Sequence, residues 1–308
     1  MDANRDFDVN SPLISIVIPV KNVEKNLSNL KNILNQIKNQ SVEIIFVQDI
    51  FDEPLSLNLQ TLINSQSSRN IKLISVAAGN PGAARNSGMS LVRGRWVTFW
   101  DADDQPNLDN LISIVMEAEE KNCEVCIGSF QILEDGVLSS HVLNPKKGLN
   151  QIARNPGIWR FSFRSNLVSD VRFPTIKMGE DQIFLLWMKL SEKNFYLSRR
   201  LVYVYYRGSI SQETNLYSSR REILSSLKIS LRVYSEQQNC KDTFAREIIG
   251  RQLLTTLKIY GTSFIDWRSL RKIFLSVGIL KLALLTLSFL RVVVSLLRIR
   301  TMSKLPWH

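Results

Sequence analysis

The sequence predicts an α/β protein, with a mostly parallel central sheet flanked by helices. Three observations predict it. Apolar, β-branched runs that read as strands buried on both faces alternate with stretches of helical spacing. The chain has 308 residues, 44% of them hydrophobic and 22% charged, enough for a substantial core. Polar features far apart in sequence fall at the carboxyl ends of successive strands, where ligands of such sheets bind.

The elements follow in order. PLISIVIPV (12–20) is a continuous apolar run and reads as the first strand. Val23, Leu27, Leu30, Leu34 and Ile37 then recur at helical spacing. VEIIFVQD (42–49) is a second buried strand, LSLNLQTLINS (55–65) a helix and IKLISV (71–76) a third strand. A helix from about Pro81 leads to RWVTFW (95–100), the fourth strand. Asp109 to Lys121 reads as a helix and EVCIGSF (124–130) as a fifth strand. Right-handed crossovers make these strands parallel.

From about residue 131 the pattern weakens into a smaller mixed region, with turns at Glu134-Asp135-Gly136 and Asn144-Pro145. GEDQIFLLWMKL (179–190) opens a helix whose acids sit in the first turn, where the helix dipole favours them. FYLSRRLVYVYYRG (195–208) is strand-like, and helices return from about 216 to 262. The expected divisions are a tail (1–11), a main domain (12–215), a helical extension (216–265) and a basic apolar helical segment (266–308).

That last segment differs in kind. KIFLSVGILKLALLTLSFLRVVVSLLRIR (272–300) is apolar but punctuated by Lys281, Arg291 and Arg298. It holds no charge-free stretch of the roughly 18 residues a plain membrane span needs. Basic residues in an apolar helix suit insertion at an anionic interface, where long cationic side chains reach back to water. Packing in the core or between subunits is the structural alternative.

The formal charge is +11, from 39 Lys and Arg against 28 Asp and Glu. This suits phosphorylated substrates or an anionic membrane, and by itself is a weak case for nucleic acid. Three cysteines make a poor disulfide framework. Cys123-Glu124-Val125-Cys126 has no second pair for zinc and alternates like a strand. The polar N-terminus MDANRDFDVN is unlike a signal peptide, so a reduced, cytoplasmic protein is expected.

Three constellations can carry chemistry. Asp101, Asp103 and Asp104 follow a strand in WVTFWDADDQPN (96–107) and repel one another unless screened. Asp-Ala-Asp at a strand end points two carboxylates to one side, as a hard divalent cation requires. A solvated turn, with Asp104 or Asn107 capping the next helix, is the structural alternative. In AAGNPGAARNSG (77–88), Asn80 caps a helix that starts at Pro81. Gly82, Ala83 and Ala84 leave the backbone there open to an anion, with Arg85 adding donors; tight packing under small residues competes. Glu180-Asp181, after a glycine, can supply a general base or merely favour a helix start.

Together these residues resemble family 2 glycosyltransferases of the GT-A (nucleotide-diphospho-sugar transferase) fold, of the bacterial cell-surface polysaccharide type. The resemblance covers about residues 12–210, in order: ISIVIPVKN, EIIFVQD, GAARNSG before GRWVTFWDADD, and GED. It implies a nucleotide-sugar donor, usually a UDP-sugar. It places Pro19, Val20 and Asn22 in the nucleotide pocket, with Asp49 on the uracil and Arg85 supporting the base. By the same resemblance Gly82, Asp101 and Ala102 line the donor site, with Asp101 near the ribose and sugar. Asp103 would bind Mn²⁺ or Mg²⁺, and Asp181, preceded by Glu180, would be the catalytic base of an inverting displacement. The acceptor implied is a lipid-linked or surface glycan, and the location the inner face of the cell membrane, peripherally held. Oligomers through the C-terminal helices fit the same segment.

Two departures stand out. The second strand ends in Gln48-Asp49 where the family often has Asp-Asp, and Ile50-Phe51 replaces a small polar turn. The family's late histidine after Tyr-Arg is absent from YYRGSISQ (205–212), leaving Arg207, Ser209 and Ser211 as phosphate or lid contacts. His141 and His308 are the only histidines. A nucleotidyltransferase would want a glycine-rich loop after the first strand, which Val20-Lys21-Asn22-Val23 does not offer. A catalytically degenerate glycan-binding or scaffold protein on the same fold is the remaining alternative.

Overall fold

The computed structural model describes residues 11–37, 41–66, 70–207, 222–236 and 242–260, and within the C-terminal segment 283, 285–290 and 293–294. The strands are β1 (Ile14–Val20), β2 (Val42–Asp49), β3 (Ile71–Val76), β4 (Trp96–Phe99), β5 (Gln105–Pro106), β6 (Val125–Glu134), β7 (Val137–His141), β8 (Phe161–Arg164) and β9 (Phe195–Arg207). They form one sheet in the order β3-β2-β1-β4-β8-β6-β9-β5, with β7 added to β6.

The first four strands are parallel, as their uniformly apolar runs predict. All eight residues of β2 are buried, and so are all of β1 except the half-buried Pro19. Beyond β4 the sheet is mixed. The short β8 slips between β4 and β6, antiparallel to both, while β6 and β9 run parallel. The region after residue 131 is therefore not a separate lobe but the second half of the same sheet.

The period of two along each strand divides the core. Ile16, Ile18, Ile44 and Phe46 face one layer, which holds α1 (Val23–Asn35) and α4 (Leu108–Glu120). Val17, Ile45, Val47 and Phe99 face the other. There α3 (Pro81–Met89) and α6 (Glu180–Trp187) pack, together with α7 (Ile223–Glu236) and α8 (Thr243–Tyr260). Helix α2 (Leu57–Asn64) lies beside α1, and α5 (Leu149–Ile152) is a single turn against α8. Leu227, Leu231, Ile248 and Ile249 belong to the same cluster as the strands, so the helical extension completes the core on that face of the sheet. The expected divisions near 215 and 265 lie outside the described residues.

Leu285 and Ser288 are buried, Leu285 within that core, whereas Leu287, Leu290 and Val294 are exposed. Among the described residues no helix is long and apolar enough to cross a membrane. Cys123 and Cys126 are buried free thiols, as their strand-like alternation predicts; Cys240 lies outside the described residues.

Helix α3 approaches the sheet closely. A Cβ at Gly88 would stand 2.4 Å from Val17 Cγ1 and 3.0 Å from Val47 Cγ2. Gly88→Ala is expected to lower stability by about 1–3 kcal/mol through overpacking, read as a shift in urea midpoint.

Candidate active site

Because β1, β2 and β4 are parallel, their carboxyl ends open on one rim. A cavity of about 390 Å³ occupies it. Pro19, Val20 and Asn22 line it from the end of β1, Asp49 from β2, and Asp101, Ala102 and Asp103 from β4.

At one end Asp49, 5% exposed, accepts hydrogen bonds at Oδ1 from Phe51 N–H and Ala78 N–H, both at 3.0 Å. These anchor the segment after β2 and the loop before α3 to each other. The Phe51 ring covers Gly79, whose left-handed φ of 68° brings the chain under it. Lys21 pairs with Asp52 at 3.1 Å, and Glu53 accepts from Asn22 N–H. The unusual Ile50-Phe51 turn is thus a strap packed on Gly79, one of the residues lining this end of the cavity.

Asn80 caps α3, accepting from Ala83 N–H at 2.8 Å, and Pro81 takes the first helical position. Gly82 departs from expectation. It does not line the cavity but faces the strand of chain before α6, where a Cβ would meet Pro174 O at 2.8 Å. The small residues of this helix serve close packing rather than an open backbone.

Arg85 is 3% exposed and sits at the centre. One terminal nitrogen donates to Asp101 Oδ1 at 2.7 Å, the other to Glu180 Oε1 at 2.8 Å. Burial works against its charge, but the Asp101 and Glu180 carboxylates outweigh it and hold Arg85 protonated. Its hydrogen-bonding is directed at these carboxylates, not at the Asp49 end where base support was expected. The contact ties α3, the end of β4 and the start of α6 together.

The three carboxylates of 101–104 divide their work. Asp101 receives Arg85, and its N–H donates to Tyr203 Oη at 3.0 Å. Asp104 is buried and accepts from Tyr206 N–H at 2.8 Å, clasping β9; its other oxygen is buried without a partner. Asn107, not Asp104, caps α4. Asp103 is left facing the cavity. Burial and the Asp101 charge push its carboxyl up to about 6. Burial, then Asp103 and Asp101, raises Asp104 well above the ordinary carboxylate range.

A carboxyl raised above its ordinary value costs stability as pH climbs past the unfolded-state pKa. Asp103→Asn is therefore expected to stabilise the metal-free protein at pH 7 by on the order of 1 kcal/mol, after discounting for partial exposure, and to lose that gain below about pH 4. Urea titrations with a chelator present would show it; lower stability at both pH values would refute it.

Across the cavity, the first turn of α6 presents Glu180 and Asp181. Gly179, with φ 83°, sets that turn in the left-handed region. Burial and the neighbouring Glu180 push the Asp181 carboxyl up to about 7. Burial also raises Glu180, against the pull of Arg85. The far wall was not foreseen. It contains Phe130, Ile132, Trp159 and Tyr205, with the Trp159 ring stacked on Tyr203 at 4.5 Å and on Tyr205 at 5.8 Å. Alternation along β9 places Tyr203, Tyr205 and Arg207 on one face, a signal legible in YVYYR; nothing in sequence marks Trp159. Arg207 lines the rim and pairs with Glu134 at 3.1 Å. Ser209 and Ser211 lie outside the described residues.

Among the described residues no group of three or more His, Cys, Asp or Glu side chains is arranged to hold a metal. The donor set still fits a hard divalent ion of the kind that binds through one or two carboxylates plus substrate phosphates. Asp103 and Asp101 both line the cavity, two hard oxygen donors on one loop.

The family model for glycosyl transferase family 2 matches residues 15–174, which include the rim, Asp49, Arg85 and the 101–104 carboxylates. The chain belongs to this family. Glu180 and Asp181 lie just past the matched stretch. A poly(ribitol-phosphate) β-glucosyltransferase of Bacillus spizizenii is 29% identical over 237 residues, 70% of this chain and 37% of that protein. GlyG, a glycosyltransferase of Streptococcus pneumoniae, is 27% identical over 56% of this chain and 58% of its own length. The chain thus spans between about a third and three fifths of these relatives. The solved structure of S. aureus TarS residues 1–349 with UDP-GlcNAc shares the fold, with a TM-score of 0.68 at 17% identity, over 86% of this chain and 81% of that one.

Proposed function

We propose that this family 2 protein is an inverting glycosyltransferase. It moves a sugar from a nucleotide-sugar, a UDP-sugar by preference, to a hydroxyl of a lipid-linked or surface glycan. One observation carries this reading: Asp49, the Asp101–Asp103 pair and a half-buried Asp181 with a raised pKa converge on one cavity, in a chain whose family consists of such transferases.

The residues divide the reaction. Asp49 and the Phe51 strap receive the nucleobase at one end. Asp101, fixed by Arg85 and Tyr203, orients the ribose and sugar. Asp103, together with the donor phosphates, would hold Mn²⁺ or Mg²⁺, whose chemistry would be charge stabilisation of the departing diphosphate. Asp181 takes the proton from the acceptor hydroxyl as its oxygen bonds to the anomeric carbon and the bond to the diphosphate breaks. A base with pKa near 7 matches neutral pH. The aromatic far wall and Arg207 border the space left for the acceptor. One displacement inverts the anomeric centre.

Relatives support the donor and acceptor classes. TarS was solved with UDP-GlcNAc, and a Pyrobaculum mannosyltransferase of similar fold with GDP-Man and Mn²⁺. A relative of Campylobacter jejuni, 25% identical, is a β-1,3-glucosyltransferase for an undecaprenol-linked glycan. Peripheral attachment to the inner face of the membrane is part of the proposal, supported by the exposed Leu287, Leu290 and Val294. The second reading, a glycan-binding or scaffold protein, rests on the missing histidine in YYRGSISQ.

The test is a panel of nucleotide-sugars with Mn²⁺ or Mg²⁺, with and without anionic vesicles carrying lipid-linked acceptors. Turnover of one donor, lost on chelation and in Asp103→Ala, is expected. UDP binding without turnover of any donor would favour the binding module, and absence of UDP binding would sink the pocket assignment.

A further inference from the structure

Helices α7 and α8 lie beyond the stretch the family model matches, and the mechanism above gives them no task. Yet contacts run from both to the turn that carries Asp181. Glu222, just before α7, accepts from Lys177 N–H. Ser226 Oγ, fully buried on α7, donates to the Met178 carbonyl. Gln252 Nε2, 1% exposed on α8, donates to Gln182 Oε1 at 3.1 Å. Gly179 presses against α7 so tightly that a Cβ there would stand 2.7 Å from Ser226 Oγ.

Residues 177, 178, 179 and 182 are thus held from outside, on both sides of Glu180-Asp181. The Asp181 carboxylate itself has little to orient it. Among the described residues it accepts a hydrogen bond only from the adjacent Gln182 N–H, at 2.7 Å. Its direction is inherited from the turn.

We propose that α7 and α8 form a brace for the catalytic turn, with Ser226 and Gln252 as positioning residues that set where Asp181 stands relative to the acceptor hydroxyl. The proposal rests on Asp181 being the base. A misplacement near 1 Å can cost up to ~10²-fold in rate, so a partial loosening is expected to cost about tenfold.

Ser226→Ala removes the donor to the Met178 carbonyl at little steric cost. It is expected to lower kcat about tenfold, with donor KM, UDP Kd and Tm close to wild type. Gln252→Leu is expected to act in the same direction. Gln252→Glu can keep a hydrogen bond by accepting from a flipped Gln182 amide, and is expected to recover most of the rate. A merely structural role would lower Tm and leave kcat per folded molecule unchanged. That outcome overturns the brace, as does a parallel loss of UDP binding. Asp181→Asn separates the two assignments. If it keeps wild-type turnover, the base assignment falls and the brace with it. If it is inactive while Ser226→Ala and Gln252→Leu keep full kcat, the brace falls alone.

Discussion

Asp181→Asn is expected to lower kcat by about 10²–10⁴-fold while leaving UDP affinity unchanged. Asparagine matches the size of aspartate and can still accept from Gln182 N–H, so the turn keeps its shape. What it loses is the ability to take a proton. The wild-type pH profile should carry the same signature. Burial and Glu180 raise the Asp181 carboxyl to about 7, and only its ionised form accepts a proton. The rate should therefore rise with pH and level off above 7, falling about tenfold per unit well below it. In the variant this limb should vanish. A variant that retained it, or kept its rate, would place the base elsewhere.

Arg85→Met should have the largest effect on the fold. It removes a buried cation shared by two carboxylates, Asp101 at 2.7 Å and Glu180 at 2.8 Å, whose side chains are 28% and 10% exposed. Removing one partner of a buried ion pair costs about 3–5 kcal/mol, because the remaining charge is stranded. For a domain of this size that is a loss of roughly 10 °C in Tm. The sign of its pH dependence follows. Without Arg85 the Glu180 carboxyl, which burial already raises, loses the cation that pulls it down, so the penalty is full at high pH and shrinks as the pH falls toward its unfolded value. Denaturant titrations at pH 8 and pH 5 should show a deficit larger at pH 8. Equal stability to wild type at pH 8 would mean that the pairing does not hold the site together. Arg85→Lys is expected to fall between, since one ammonium cannot span two carboxylates as a planar guanidinium does.

The parallel half of the fold was legible because a strand buried on both faces must be apolar throughout, and PLISIVIPV and VEIIFVQD are nearly so. The second half was not. Strand β8 has four residues, too few to show a period, and its neighbours β4 and β6 are distant in sequence. That Asp49, Asp101 and Asp103 share one rim was legible because each ends or follows an apolar strand, and parallel strands bring their carboxyl ends together. The bridging role of Arg85 was not, since its partners lie 16 and 95 residues away. Phe130, Trp159 and Tyr205 escaped notice because an aromatic lining a cavity reads the same as one filling a core. Gly82 shows the reverse error: a small residue that invites a ligand reading turns out to admit the chain at Phe173 and Pro174.

The clasp between the carboxylate loop and β9 also fixes an order of events in synthesis. Asp104 bonds Tyr206 N–H, 102 residues further along, and Asp101 depends on Tyr203 over the same span. At roughly 5–20 residues per second a ribosome needs about 5–20 s to cover that distance. Throughout that interval strands β1 to β4 can already pair with one another, although β8, the other neighbour of β4, comes later. The nascent chain therefore builds the Asp49 end of the cavity first and keeps the 101–104 carboxylates unclasped. It cannot close the cavity until the last strand has left the tunnel.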